Sequence, residues 1–130
     1  MIGIDTNVLV RLLVEDDAAQ ARRARKLVEK SEILVCSTVL LEAEWILRAA
    51  YGIDSGSISG AFRRFLGLPN VTSDQPAALA EALDRYDAGH DFADALHLSS
   101  AHKASAFCTF DKRLVRRAKG AKLRVEAVPD

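Results

Sequence analysis

The chain has 130 residues, of which 49% are hydrophobic and 28% are charged, and its 18 basic and 18 acidic residues cancel to a net charge of zero. A chain of this length buries roughly two-thirds of its unfolded surface, so we expect a single domain over residues 1–130. No apolar run approaches the roughly 18 residues of a membrane span, and the balanced charge excludes a strong whole-molecule attraction to nucleic acid.

Short apolar runs alternate with amphipathic stretches along the chain. Strands are predicted at residues 1–5, 33–36, 69–72, 106–110 and 123–128. Helices are predicted at about residues 6–13, 16–30, 38–51, 62–66, 75–88, 92–103 and 111–118, with a glycine-rich loop at 52–60. This alternation predicts an α/β fold, in which a short, mainly parallel sheet of four or five strands is covered by helices on both faces as a three-layer sandwich. Because the first strand begins at residue 1, we expect no signal segment and a cytoplasmic protein.

Basic residues are concentrated in two parts of the chain. One cluster contains Arg22, Arg23, Arg25 and Lys26, and the other contains Lys112, Arg113, Arg116, Arg117, Lys119, Lys122 and Arg124. Either cluster is explained as a solvated helix face. Combined with an acidic metal site, both become candidate phosphate contacts, since such contacts position a nucleic-acid backbone without reading its sequence.

Four acidic residues stand where folding alone does not readily explain a carboxylate: Asp5, Glu42, Asp94 and Asp111. Asp5 and Asp111 each follow a predicted strand and precede a helix. A helix N-cap is the plain alternative for both, although Thr6 and Asn7 offer the same service beside Asp5. The carboxyl ends of parallel strands face the ligand crevice in open α/β sheets, so both positions also suit a metal ligand.

Glu42 is the most diagnostic of the four. Its helical neighbours three and four residues away include no cation, whereas Glu44 has Arg48 four residues later, the spacing of a surface ion pair. Burial of an unpaired carboxylate is costly unless a metal or hydrogen bonds stabilise it. We therefore expect Glu42 to be functional and Glu44 to be a structural surface residue.

The segment Asp-Phe-Ala-Asp-Ala-Leu-His, residues 91–97, opens a predicted helix. Asp91 suits the cap of that helix, and Asp94 lies deeper than a cap requires. Asp94 is therefore the better metal ligand, with Asp91 as a further or water-mediated candidate. His97 and His102 are expected to be packing or surface histidines.

An all-oxygen ligand set favours a hard cation, Mg²⁺ or Mn²⁺, over zinc, for which closely spaced Cys or His ligands are typical. Packed carboxylates repel each other and a phosphate substrate unless such a cation is bound. One or two cations can activate water for attack on a phosphodiester and neutralise the leaving oxygen. The acidic residues thus indicate a metal-dependent phosphodiester hydrolase.

Two other enzyme classes are compatible with an aspartate after the first strand. Phosphotransferases of the haloacid dehalogenase type require a second aspartate two residues later, where this chain has Asn7. Receiver domains require paired acids, which residues 5–7 do not supply. A stable aspartyl-phosphate at Asp5 would favour either class over phosphodiester hydrolysis.

The ordered fragments at residues 4–9, 37–42, 91–97 and 109–111 resemble the PIN domain, and more closely the VapC-type ribonuclease toxins of VapBC toxin-antitoxin pairs. The resemblance implies a Mg²⁺- or Mn²⁺-dependent endoribonuclease acting on single-stranded RNA. It further implies a homodimer that a cognate antitoxin inhibits, gripping the helices formed by residues 6–30.

The resemblance also assigns roles to individual residues. The family's acidic positions are matched by Asp5, Glu42, Asp94 and Asp111, and the polar positions around them by Thr6, Asn7, Thr38 and Thr109. Asp5 and Asp94 are expected to hold the principal metal, and Glu42 and Asp111 to complete or bridge the site. The alternatives are a PIN ribonuclease of RNA maturation without a toxin role, and a PIN-like module that binds RNA or protein without cleavage.

Overall fold

A computed structural model of the chain describes residues 1–118 and 123–130. The strands are β1 (Ile2–Gly3), β2 (Ile33–Val35), β3 (Val71–Ser73), β4 (Ala106–Thr109) and β5 (Arg124–Ala127). The helices are α1 (Thr6–Leu13), α2 (Ala18–Lys30), α3 (Ser37–Ala49), α4 (Ser55–Leu66), α5 (Pro76–Asp87), α6 (Phe92–Ser100) and α7 (Lys112–Arg117). Each predicted strand has an observed counterpart. Of the second basic cluster, Lys119 and Lys122 lie outside the described residues.

All strand pairs of the described chain are parallel. β2 lies between β1 and β3, with Ile33 opposite both Ile2 and Val71, and β4 pairs with β5, with Ala106 opposite Arg124. Helices connect the paired strands, because parallel neighbours cannot be joined by a tight turn. The predicted α/β class with parallel strands is confirmed. The strands form sheets of three and two, where the sequence predicts one sheet of four or five.

Helix α4 begins earlier than the sequence predicts, within the segment expected to be a loop. Asp54 caps it: Oδ2 accepts a hydrogen bond from Ser57 N at 3.0 Å, and Oδ1 accepts one from Ser57 Oγ at 2.8 Å. The apolar face of the helix buries Ile58, Phe62 and Phe65. Burial of a large apolar side chain contributes about 1.5–3 kcal/mol, which outweighs the cost of roughly 1 kcal/mol for each helical glycine.

The chain forms two compact units, Met1–Pro76 and Ala77–Asp130. In the first unit α1 contacts α2 and α3, and α3 contacts α4. The largest fully buried side chains of this unit are Phe62, Leu9, Ile33, Leu40, Leu47 and Ile58. Asn70 ties the start of β3 to the end of α2, because its amide nitrogen donates to the carbonyls of Val28 and Ser31 at 2.6 and 2.8 Å. A single domain over the whole chain stays a prediction.

The second unit is organised around an aromatic pair. Tyr86 on α5 and Phe92 on α6 are both buried, with ring centroids 5.1 Å apart in an edge-to-face arrangement. Arg85 adds a polar link between the same helices by donating to the buried Ser99 hydroxyl at 2.6 Å. None of the helices in the described part of the chain combines the length and hydropathy that a bilayer crossing requires.

Candidate functional site

Asp5 is the N-cap of α1. Its Oδ1 accepts a hydrogen bond from Val8 N at 3.0 Å, and its backbone is extended, as a cap requires. Of the three acceptable caps, Asp5 is the one used, because Thr6 is already the first helical residue and is buried. Within the described residues, Oδ2 of Asp5 accepts no hydrogen bond. The exposed side chain therefore caps the helix with one oxygen and leaves the other available to a ligand.

The carboxyl ends of the three paired strands in the first unit all lead into polar residues. Asp5 follows β1, Ser37 and Thr38 follow β2, and Asp74 follows β3. Asp74 Oδ1 accepts hydrogen bonds from Ser37 N at 2.9 Å and Ser37 Oγ at 2.7 Å. Cys36, the N-cap residue of α3, makes no side-chain cap bond, so Asp74 supplies that cap from the residue directly after β3.

The sequence argument did not identify Asp74. The available signal was an acid directly after a short β-prone run, Val-Thr-Ser-Asp, which is the pattern that singled out Asp5 and Asp111. Its contacts make it a residue that holds the start of α3, the helix on which Thr38 and Glu42 lie.

Glu42 and Glu44 have the opposite burial from the one the sequence suggests. Glu42 is exposed, whereas Glu44 is only 3% exposed and accepts a hydrogen bond from Arg48 Nε at 2.8 Å. The premise that Glu42 is a buried, unpaired carboxylate is therefore wrong, and Glu44 is not a surface residue. Thr38 is also exposed and lies one helical turn before Glu42, so the two side chains share the solvent-facing side of α3.

Three acidic residues of the second unit line one cavity of about 170 Å³: Asp91, Asp94 and Asp111. Asp91 caps α6 by accepting from Asp94 N at 3.2 Å. Asp111 caps α7, since its Oδ1 accepts from Arg113 N at 2.8 Å and Leu114 N at 3.3 Å. Asp94 lies in the first turn of α6 and is not the cap, as predicted.

Thr109 orients the backbone at Asp111. Its Oγ1 accepts a hydrogen bond from Asp111 N at 3.0 Å, at the point where β4 ends. Both Asp111 contacts to α7 use Oδ1, and within the described residues Oδ2 accepts no hydrogen bond. Thr109 therefore orients a carboxylate that keeps one free oxygen, as Asp5 does in the first unit.

Charge is crowded in the same cavity. Partial burial raises the pKa of Asp94 above its usual range, and the negative charges of Asp91 and Asp111 raise it further. His90 also lines the cavity, and its pKa is lowered by partial burial and by the cations Arg117 and Arg85. Arg113 and Arg117 complete the lining, and Arg117 donates to the Gly89 carbonyl. His97 and His102 are exposed, in line with the surface role expected for them.

The donor chemistry of these residues fits a hard divalent cation. The available groups are carboxylate oxygens, and the mutual repulsion at Asp94 is what a bound cation would relieve. In neither unit do three or more His, Cys, Asp or Glu side chains of residues 1–118 and 123–130 form a group that could hold one ion.

The units contain different parts of the predicted ligand set. Asp5 and Glu42 belong to the first unit, and Asp94 and Asp111 to the second, together with Asp91. Asp5 shares a cavity of about 470 Å³ with the exposed Asn7, and Glu42 does not line that cavity.

Comparison with known proteins identifies one family. The model of a family described as the PIN domain matches residues 2–120, nearly the whole chain. No curated protein and no solved structure matches the chain.

Proposed function

Because the chain belongs to the PIN domain family, we propose that it is a Mg²⁺- or Mn²⁺-dependent endoribonuclease that hydrolyses single-stranded RNA. PIN domains are generally nucleases, and they generally use divalent metal ions. The observation that carries the proposal is the cavity in which Asp91, Asp94 and Asp111 lie with Arg113 and Arg117. Carboxylates suit a hard cation, and guanidinium groups suit phosphate oxygens.

The proposed ligands divide between principal and supporting carboxylates. As the family resemblance implies, Asp5 and Asp94 would be the principal cation ligands, Glu42 and Asp111 would complete or bridge the site, and Asp91 would contribute through water. When bound, the cation lowers the pKa of water and neutralises charge on the phosphodiester. Free Oδ2 atoms on Asp5 and Asp111 support these assignments, because capping occupies only their Oδ1 atoms.

The remaining polar groups position these carboxylates or the substrate. Thr109 holds Asp111 through its backbone, and Asp91 fixes the first turn of α6, on which Asp94 lies. Arg113 and Arg117 orient the phosphate. Thr38 and Asn7 are exposed and can contact RNA, whereas the buried Thr6 supports the start of α1.

The test compares two aspartates that do the same structural work. Asp5 caps α1 through Val8 N at 3.0 Å, and Asp17 caps α2 through Gln20 N at 3.0 Å. Asparagine caps helices as well as aspartate does, so Asp5→Asn and Asp17→Asn should both preserve the fold. Only Asp5→Asn should lose metal-dependent cleavage, by at least about 100-fold, the upper end of the loss seen for residues that merely support metal ligands.

Cleavage is followed on a fluorescent single-stranded RNA with Mg²⁺, with Mn²⁺ and with chelator. Binding of Mn²⁺ alone, measured by calorimetry, gives a second readout and should weaken in Asp5→Asn but not in Asp17→Asn. Equal cleavage by wild type and Asp5→Asn would refute the assignment of Asp5. Chelator-insensitive cleavage would refute the metal dependence.

We further propose that the ribonuclease is the toxin of a type II toxin-antitoxin pair, a cytoplasmic homodimer inhibited by a cognate antitoxin. The VapC-type resemblance of residues 4–9 and 91–97 supports this role. Induced expression of the wild type should arrest growth, while Asp5→Asn should not, and a short reading frame directly upstream should relieve the arrest. Cleavage in vitro without growth arrest would favour a ribonuclease of RNA maturation. Metal-dependent RNA binding without cleavage would favour a binding module.

A further inference from the structure

Helix α2 carries a row of cations on one side. Arg23, Lys26 and Lys30 are separated by three and four residues, the spacing that places helical side chains on a common face. All three are exposed. The row extends from residue 23 to residue 30, seven residue steps of about 1.5 Å, or about 10 Å along the helix axis.

This row lines two depressions that share residues. The first, of about 470 Å³, is lined by Asp5, Asn7 and Arg23 among others, and the second, of about 410 Å³, is lined by Arg23, Lys26 and Lys30. Leu27 also lines both. Because Arg23 and Leu27 belong to both, the depressions adjoin each other along α2 and together extend from Asp5 to Ser31; we name the pair the basic groove.

The three cations of the basic groove differ from Arg25 in forming no ion pair with any residue of 1–118 and 123–130. Within the described residues, no ion pair involves Arg23, Lys26 or Lys30. Arg25, from the same sequence cluster, pairs with Glu15, and it lines neither depression. Cationic side chains without protein partners remain available to an external anion.

Arg11 lines the groove near Asp5 but is already engaged. Its guanidinium donates to Gln20 Oε1 at 2.7 Å and to Asp16 Oδ1 at 3.1 Å. The hydrogen bond to Tyr51 and the charge of Asp16 raise the pKa of Arg11. Arg11 therefore shapes the wall of the groove, and the three α2 cations supply its unbalanced positive charge.

We propose that the basic groove binds the sugar-phosphate backbone of the RNA strand that enters the proposed cleavage site at Asp5. The inference rests on the proposed ribonuclease function and adds the path of the substrate. An axial length of about 10 Å accommodates about three phosphates at the spacing of a stacked strand, roughly 3.4 Å. Among the described residues the lining contains cationic and aliphatic side chains but no aromatic one for base stacking, so we expect the groove to position the strand without selecting its sequence.

The experiment compares two triple variants that remove the same charge. The groove variant is Arg23→Gln, Lys26→Gln and Lys30→Gln. The control variant is Arg25→Gln, Arg64→Gln and Lys103→Gln, which are cations outside the groove. Binding of a fluorescein-labelled oligouridine is followed by anisotropy over a range of KCl concentrations, with chelator present so that cleavage does not consume the RNA.

Each phosphate neutralised on a single strand contributes about −0.7 to the slope of log affinity against log salt. With three such contacts removed, the slope of the groove variant should be less negative than that of the wild type by about 2, and its affinity for RNA at 0.1 M salt should fall about 100-fold. The control variant should keep the wild-type slope, and circular dichroism should show the same helix content in all three proteins.

Each outcome decides the inference. An unchanged slope in the groove variant overturns it and favours an acidic protein segment as the occupant of the groove. Equal losses of affinity in the groove and control variants also overturn it, because RNA binding would then depend only on the net charge of the protein. A wild type that does not bind oligouridine overturns it as well. The ribonuclease function is tested separately, by cleavage. If the wild type shows no metal-dependent cleavage but the salt-dependence slope of RNA binding still changes in the groove variant as expected, the proposed function is refuted and RNA binding by the basic groove is supported.

Discussion

Replacing Asp74 by alanine should destabilise the first unit, because this side chain, directly after β3, caps α3. The substitution removes the acceptor for Ser37 N at 2.9 Å and for Ser37 Oγ at 2.7 Å. It also removes a negative charge from the N-terminus of α3, where the helix dipole favours anions. The hydroxyl of the buried Ser37 would still accept a hydrogen bond from Gln75 Nε2, at 3.0 Å.

The magnitude follows from these two contacts. An N-cap substitution typically costs about 1 kcal/mol, and a hydrogen bond to a charged group contributes about 1.5–3 kcal/mol where it is shielded from water. Because Asp74 is exposed, the lower values apply, and Asp74→Ala should lower the free energy of unfolding by about 2 kcal/mol. For a chain of this length, that corresponds to a fall in Tm of about 6–8 °C. Asp74→Asn keeps an acceptor but not the charge and should cost about half as much.

Urea unfolding provides the assay. The chain has one tryptophan, Trp45, which lies on α3 and reports the affected helix directly, while far-UV circular dichroism reports all helices. Asp74→Ala, Ser37→Ala and the double variant form a cycle in which we expect a coupling of about 1 kcal/mol. Glu29→Ala, which removes an exposed acid of the same unit, is the control. A loss below about 0.5 kcal/mol for Asp74→Ala, or no coupling, would refute the capping argument.

Two further predictions concern carboxylates whose burial or charge the structure defines. Glu44→Ala should lower the free energy of unfolding by about 2 kcal/mol, because Glu44 is buried against Arg48. Glu42→Ala should change that free energy by less than about 0.5 kcal/mol and should instead reduce RNA cleavage. The reverse pattern in urea unfolding and in the cleavage assay would contradict a buried Glu44 and an exposed Glu42. Hydrogen bonds from Ser57 lower the pKa of Asp54. The stabilisation by the Asp54 carboxylate should therefore be fully present above the unfolded pKa of about 3.9 and should disappear as the pH falls through the lower folded pKa. Asp54→Asn should lose less stability than wild type between pH 5 and pH 2, and parallel losses in urea titrations would disprove this contribution.

The sequence was sufficient to place most elements and the α/β class. Short β-prone runs and amphipathic stretches carry their periodicity locally, so β2, α2 and α5 could be predicted from their own residues. The acids after β1 and β4 could also be found, because a strand followed by a helix fixes where its carboxyl end lies. The early start of α4 was missed, since the glycines indicate a loop and Asp54 was not recognised as its cap.

Burial on α3 was decided by tertiary packing. Successive helical residues are rotated by about 100°, so Glu42 and Glu44 point to different sides of the helix. Apolar residues near both made either one a reasonable interior position. Packing turned Glu44 inward and left Trp45 60% exposed, and the long Arg48 side chain reaches from the surface to the buried carboxylate. The partner predicted for Glu44 was correct, but its surface location was not.

Some helix caps come from residues next to the helix, and others come from residues distant along the chain. From sequence, Asp5, Thr6 and Asn7 are all acceptable caps, and the extended backbone at Asp5 selects among them. For α3 the cap is Asp74, 37 residues away from Ser37 along the chain. The sequence by itself determined which acids follow strands, because that information is local. Only the tertiary structure decided that Asp74 caps α3 and that Glu44 rather than Glu42 is buried, because those properties depend on packing between residues distant along the chain.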